Sequence, residues 1–378
     1  MKKWPIAIAS VSAVLLVGGA VLIPGDSRRG TQTRRAEPPP WRPATPSRTL
    51  LQGALGAGAA PVHEGATPAE PARVRVGIVL NALDNPFWVA IYEGARAEAA
   101  RRGMRTTFRA VTSNADLAGQ AAQLRALGAA REDCYVVGPI AATNLITALR
   151  RVSGPIVIIN SPIDPAAVKR ARVHLSSYVG TDDFAAGRLA GAQMASLLGG
   201  SGEVALLGGW ADNVNSRLRL GGFERGIQGT RLRVVARVNA NYDRTTAEIA
   251  AERILRTHPR ISGFFAANDL MALGIADSVS AAGKTGKVRI IGLDGIAEAL
   301  DAVRAGSISA TVSQYPYVMG QMAVEAAAAA ARGARLPARV DAPIALLTKD
   351  NVARAIAAFP LPVQWYSDPF SRLLRKRG

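Results

Sequence analysis

The chain has 378 residues, 49% of them hydrophobic, enough for two domains with their own buried cores and too apolar for a disordered or fibrous protein. Its formal net charge of +18 and pI near 11.0 raise nucleic acid or an anionic membrane as partners. The arginines, however, are scattered through helical stretches, with dense runs only at Arg28-Arg29, Arg34-Arg35 and Arg375-Lys376-Arg377, and no DNA-binding motif accompanies them, so no nucleic-acid partner is expected.

Lys2-Lys3 precede an uncharged run over residues 4–23 that Pro24-Gly25-Asp26 closes. As a helix, residues 5–23 would rise roughly 28 Å, close to the hydrocarbon thickness of a bilayer, so export is expected. Residues 1–25 read equally as a cleaved signal peptide and as a membrane anchor. Gly18-Gly19-Ala20 offers small residues for cleavage, whereas Val21-Leu22-Ile23 prolongs the apolar run. No Cys follows, which excludes a lipoprotein route. Residues 26–72 are a Pro/Ala/Arg-rich linker with Pro38-Pro39-Pro40 at its middle, too poor in apolar pattern to offset the entropy of ordering it.

From residue 73 onward, short β-branched runs alternate with Ala- and Arg-rich helical stretches. Strands are expected at 74–80, 105–110, 133–137, 155–160, 203–207, 234–239, 261–267, 288–293 and 308–312. Helices are expected between them, as at 87–102, 117–127, 184–198, 245–257 and 317–332. Repeated βαβ units demand a parallel sheet covered by helices on both faces, and two such sheets fit the length. Gly199-Gly200-Ser201-Gly202 lacks the lysine of a phosphate loop and reads as a turn. Residues 359–378 form a basic C-terminal extension carrying Pro360, Pro362, Trp365 and Tyr366. It reads as a packed or frayed end, or as a segment that docks on a partner or an anionic membrane.

The single cysteine, Cys134, makes no internal disulfide and reads as a small core residue. His63, His174 and His258 lie far apart without metal-ligand spacing, and no Ser-His-Asp set, HExxH helix or Walker loop is present. No catalytic residue, metal or cofactor is expected. What stands out instead is a set of polar and aromatic residues at strand ends, where an open parallel sheet binds its ligands. Asn81, Asn85, Phe87 and Trp88 follow the first strand, Asn268-Asp269 the seventh and Asp294-Gly295 the eighth. An aromatic face stacks on the C–H face of a sugar, and amides match its hydroxyls. Each residue also has a structural reading: Asn85 and Asn268 as helix caps, Phe87 and Trp88 as a staple against the sheet, Asp294-Gly295 as a turn. Gly208-Gly209-Trp210 leads into a helix carrying Arg217, whose planar fork suits vicinal oxygens.

On Asn85-Pro86-Phe87 with Trp88, the stretch from Phe265 through Asn268-Asp269 to Gly274, Gly292-Leu293-Asp294-Gly295 and Ala310-Thr311-Val312-Ser313-Gln314, the chain resembles the periplasmic sugar-binding proteins of the ribose-binding type, which feed ABC importers. The resemblance runs from about residue 73 to 349. It implies two similar doubly wound α/β domains joined by a three-stranded hinge, with the ligand cleft between them: residues 73–179 and 315–342 as the N-terminal lobe, 180–314 and 343–358 as the C-terminal lobe. It places Asn81, Asn85, Phe87 and Trp88 on one lip and Arg217, Asn268, Leu293, Asp294 and Gln314 on the other lip and hinge. Asn160-Ser161 stands where the ribose binder has an Asp-Arg pair, which puts ribose itself in doubt. The implied partners are a small neutral sugar or polyol and the permease of an ABC transporter, with a monomeric binding protein. A membrane-tethered subunit that signals to a receptor or histidine kinase is the alternative. A sugar-responsive repressor sharing this ligand domain would begin with a helix-turn-helix, not an apolar run.

Overall fold

The computed structural model describes residues 74–375; residues 1–73, on which the expected export segment and linker fall, and residues 376–378 lie outside it. Short apolar runs form the middles of two six-stranded sheets among the described residues. In the first, β1 (Arg75–Leu80), β2 (Arg105–Ala110), β3 (Cys134–Val137), β4 (Ile156–Ile159) and β5 (Ser177–Gly180) are joined by β11 (Arg339–Asp341), all parallel, in the order β11-β5-β4-β3-β1-β2. The second contains β6 (Ser201–Gly208), β7 (Arg231–Asn239), β8 (Ile261–Ala266), β9 (Arg289–Asp294), β10 (Ala310–Ser313) and β12 (Ala345–Thr348), in the order β12-β10-β9-β8-β6-β7, with β12 antiparallel.

The alternation of side chains along each strand divides the packing between the two faces of each sheet. Val76, Ile78, Val136 and Ile159 meet α1 (Pro86–Arg101) and α10 (Pro316–Ala331). Val79, Val137 and Ile158 meet α2 (Leu117–Ala130) and α3 (Ile146–Leu149), with α4 (Pro165–Ala171) beyond. In the second sheet, Val204, Leu206, Phe265 and Ile291 pack under α5 (Asp183–Leu197) and α6 (Val214–Gly226), where the Phe223 and Phe265 rings stack at 4.7 Å. Its other face carries α7 (Arg244–Thr257), α8 (Asp269–Ala281) and α9 (Ala297–Ala305), with α11 (Val352–Ala358) against α9. Cys134 sits in the first core, where burial pushes its thiol up to about 12 and leaves it inert. Among the described residues no helix is long and apolar enough to cross a membrane.

The predicted strands are all present, with ends shifted by a few residues, but β5, β11 and β12 were not expected. They are three or four residues long, and only pairing with a neighbour makes them strands. The glycine-rich turn is confined to Gly199 and Gly200, since Ser201 and Gly202 already pair with β7. The chain passes between the sheets at residues 181–182, 314–315 and 342–344, and then once more. From α11 the extension runs through residues 359–368 to α12 (Pro369–Arg375), which lies on α10 and buries Phe370 completely. As far as α12 the extension is therefore packed.

Beneath it is a cluster of charged groups. Arg101 donates to Glu98 at 2.5 Å, Arg102 pairs with Glu98 and donates to Glu325 at 2.6 Å, and the second Glu325 oxygen, buried without a donor, faces the carboxyl group of Asp368.

Small residues let two helix pairs approach closely. At Gly187 of α5 a Cβ would lie 2.0 Å from the Arg219 carbonyl oxygen of α6, and at Gly94 of α1 one would lie 1.9 Å from that of Tyr317 in α10. Both neighbours are backbone, which cannot move aside as a flexible side chain would. Gly187→Ala is expected to cost about 2 kcal/mol or more in chemical denaturation and to push α6 outward. A stability equal to that of the parent would show that the two helices are not in contact here.

Candidate functional site

The carboxyl ends of both sheets face each other across a cleft with a cavity volume of about 570 Å³, within the usual range for a small-molecule site. The first lobe supplies Asn81, Asn85, Phe87 and Trp88 after β1, Asn114 after β2 and Asn160 and Ser161 after β4; the second supplies Trp210 after β6, Tyr242 after β7, Asn268 after β8 and Asp294 at the end of β9. Two edge-to-face aromatic pairs stand on opposite walls, Phe87 with Trp88 at 5.5 Å between centroids and Trp210 with Tyr242 at 5.2 Å. Trp88 fits against the sheet because residue 138 is glycine: a Cβ there would lie 2.9 Å from the indole ring.

The amides do double duty. Asn85 Oδ1 accepts from Phe87 N at 2.9 Å and caps α1, and Asn268 Oδ1 accepts from Met271 N at 3.0 Å and caps α8. The cap uses only the carbonyl end, so Asn268 Nδ2 remains buried with no hydrogen-bond partner. Asn160 Oδ1 and Asn215 Oδ1 are in the same condition. Asn215 Nδ2 reaches across the cleft to the Asn160 carbonyl oxygen at 3.0 Å, which the Tyr178 hydroxyl also meets at 2.7 Å, so the two lobes are hydrogen-bonded to each other. Asn160 holds a left-handed backbone, φ 60°, that asparagine tolerates better than most residues. Behind the first wall, buried Gln120 donates to the Gly138 carbonyl at 2.9 Å and accepts from Ile140 N at 3.1 Å, holding the β3 end in place.

At the floor of the second wall lies Arg219, 4% exposed. It donates to Asp183 Oδ1 at 2.6 Å, to the Ala267 carbonyl at 2.7 Å and to Gln314 Oε1 at 3.2 Å, with Asp294 Oδ1 3.6 Å from Nη1. Gln314 in turn donates to Asp294 Oδ1 at 2.7 Å. Burial works against the Arg219 cation, but Asp183, Tyr242 and Asp294 outweigh it and raise its pKa, so the guanidinium stays charged. Burial pushes the Asp294 carboxyl well above the usual carboxylate range, against the pull of Arg219, and pushes Asp269 up to about 6 despite its bonds from Thr311, Ile296 and Gly295. Asp294 also stands at φ 144°, a strained backbone for any side chain, held in place by the Gln314 and Arg219 contacts. Arg219 is matched by three carboxyl groups, and Arg244, the other cation lining the cleft among the described residues, pairs with Asp277 at 2.9 Å and Glu298 at 2.7 Å, so neither offers an unpaired positive charge to an anion, and the orphaned amide ends call for hydroxyl groups. The cleft suits a neutral, hydroxylated molecule.

Of the residues singled out in the sequence, Asn81, Asn85, Phe87, Trp88, Asn160, Ser161, Asn268 and Asp294 line this one cleft. Three do not. Arg217 is exposed on the outer side of α6; Arg219, two residues and about 200° further round the helix, takes the inward place. Leu293 is fully buried in the core under α5 and α6, because alternation along β9 turns it toward that face. Gln314 lies behind the wall as a partner of Asp294 and Arg219. In the sequence Trp210 stood only as the approach to the Arg217 helix, and Asn215, Arg219 and Tyr242 were not singled out. Ser216, Arg219, Gly222 and Phe223 form the buried face of α6, a phase that a run with one apolar member does not announce in sequence. The rule that ligands gather at strand ends, applied after β7, would have found Tyr242.

Comparison with known proteins agrees with this geometry. The periplasmic binding protein domain family matches residues 76–335. The D-allose-binding periplasmic protein of Escherichia coli (strain K12) is 33% identical over 254 residues, 66% of this chain and 82% of that protein. The ribose import binding protein RbsB of Bacillus subtilis (strain 168) is 31% identical over 277 residues, 72% of this chain and 87% of that protein. Among solved structures, an ABC transporter periplasmic solute-binding protein from Actinobacillus succinogenes 130z with bound D-allose superimposes with a TM-score of 0.73 at 26% identity, covering 75% of this chain and all of that one. A solute-binding protein from Bacillus halodurans C-125 with bound myo-inositol gives 0.69 at 25% identity, covering 76% and 99%.

Proposed function

Because the chain belongs to the periplasmic binding protein family, we propose that it captures a small neutral sugar or polyol between its lobes in the periplasm and delivers it to the permease of an ABC importer. The observation that carries this reading is the set of buried, unpartnered amide atoms, Asn160 Oδ1, Asn215 Oδ1 and Asn268 Nδ2, in a cleft walled by two aromatic pairs. Such atoms cost free energy until a ligand hydroxyl meets them, and the aromatic faces hold the ring whose hydroxyls do so. Binding and release by hinge motion then need no chemical step, and the hinge segments at residues 181–182, 314–315 and 342–344 are short enough to bend as a unit.

The relatives bind or are named for D-allose, ribose and myo-inositol, which gives a first panel to which other neutral pentoses, hexoses and cyclitols are added. In a thermal-shift screen at least one of these should raise Tm by roughly 5–10 °C near saturation, since ligand at about 100 times Kd adds about 2.7 kcal/mol to the folded state. Asp294→Ala should abolish the shift. A screen in which only anionic or wholly apolar compounds raise Tm would overturn the reading.

A further inference from the structure

The cleft does not end at its main cavity. Past Trp210 it continues into a side chamber of about 320 Å³, between the ends of β3 and β4 in the first lobe and the start of α6 in the second. Asn114, Ile140, Ser161, Trp210 and Asn215 line both spaces, so the two are continuous. Their chemistry differs. The walls that belong to the chamber alone are Leu117, Ala141, Ala142, Pro162 and Val214, with Asp212 at the solvent edge. At the junction Asn213 is already engaged, its Oδ1 accepting from Ser216 N at 2.9 Å and from the Tyr242 hydroxyl at 2.8 Å. Leu117, at the start of α2, is left 41% exposed.

A sugar ring in the main cavity would leave this chamber to water that finds few polar partners, and poorly held water is displaced with gain by an apolar group. We propose that the chamber receives the apolar substituent of a glycoside whose sugar ring occupies the main cavity, so that the ligand class is an alkyl or aryl O-glycoside. This rests on the sugar-binding reading above. The ring keeps the amides and aromatic walls, the substituent passes Trp210, and Leu117, Pro162 and Val214 cover it on leaving water. The wall of small residues at 141–142 leaves room for a flat or branched group.

The test is calorimetric titration of the full chain with D-allose, D-ribose, D-glucose and D-galactose, each as the free sugar and as its methyl and phenyl glycosides in both anomers. For a sugar that binds, one phenyl anomer should bind about tenfold or more tightly than the matching methyl glycoside, the size expected for burying an aromatic ring. Leu117→Asp, a change on the chamber's partly exposed wall that does not line the main cavity, should remove that difference and leave the free sugar's affinity within about twofold. If free sugars bind but neither phenyl anomer gains over methyl, the chamber inference is overturned and the sugar reading stands. A phenyl advantage that survives both Leu117→Asp and Val214→Asp would place the substituent elsewhere and overturn it as well. If no sugar and no glycoside binds, both readings fall.

Discussion

Arg219→Ala should lose sugar binding altogether and about 3–5 kcal/mol of stability, whereas Arg217→Ala, two residues away, should bind as the parent does and change stability by less than about 0.5 kcal/mol. The contrast follows from burial. Arg219 compensates Asp183 at 2.6 Å and Asp294 at 3.6 Å deep in the second lobe, and removing it takes away the cation in direct contact with both carboxyl groups. It also releases the Ala267 carbonyl and Gln314, which shape the Asn268 and Asp294 ends of the site. A loss of that size is a large part of a domain's total stability, so the alanine variant is read together with Arg219→Lys. Lysine keeps the charge but presents a point donor in place of a fork, so that variant should fold and still bind at least tenfold more weakly. Denaturant titration and thermal shift with the same sugar panel measure both quantities. Equal behaviour of the two alanine variants would remove Arg219 from the site.

The second large effect concerns pH. Burial, reinforced by Asp368 and Glu98, raises the Glu325 carboxyl from 4.5 to about 9, with the Arg102 contact opposing. Around neutrality the folded chain therefore holds a proton on Glu325 that the unfolded chain gives up, and the natural place for it is the oxygen facing Asp368. The favourable contribution is complete below about pH 4.5 and is lost as pH rises through about 9. Glu325→Gln keeps an N–H donor toward Asp368 and removes the titration. The variant should match the parent near pH 4.5 and exceed it by an amount on the order of a few kcal/mol at pH 8 to 9. Parallel unfolding curves for parent and variant across that range would show that Glu325 is ionised in the folded state. The same experiment reads the docking of α12, since Asp368 begins the segment that carries Phe370 into its pocket.

Much of the architecture was legible because parallel sheets covered on both faces write themselves as unbroken apolar runs, and Val76 to Leu80, Cys134 to Val137 and Ile156 to Ile159 are of that kind. Strands β5 and β11 were not, because Ser177–Gly180 and Arg339–Asp341 are short and interrupted by polar residues, and β12 is an antiparallel edge strand of four residues that becomes a strand only beside β10. For the cleft, chain direction placed the clustered polar and aromatic residues after β1, β4, β8 and β9, whereas Trp210 and Tyr242, after β6 and β7, were missed because a lone aromatic in a turn carries no such signal. Deeper in a helix the sequence is silent: choosing between Arg217 and Arg219 requires the helical phase of α6, and the phase is set by how Gly187 and Gly222 seat α6 on α5. Gln314 and Leu293 flank Asp294 in the fold but face away from the opening. A polar or apolar label says that a residue is near a wall, not which side of the wall it is on.

The return of the extension onto α10 decides what a probe at the end of the chain can see. A dye near Phe370 travels with the N-terminal lobe, although the stretch just before it in sequence, α11, rides with the other. A dye pair placed on α1 and α12 would thus report a constant distance while the lobes part. To follow the gap with light, the second label belongs on an open site of the C-terminal lobe such as Ile249, 63% exposed on α7.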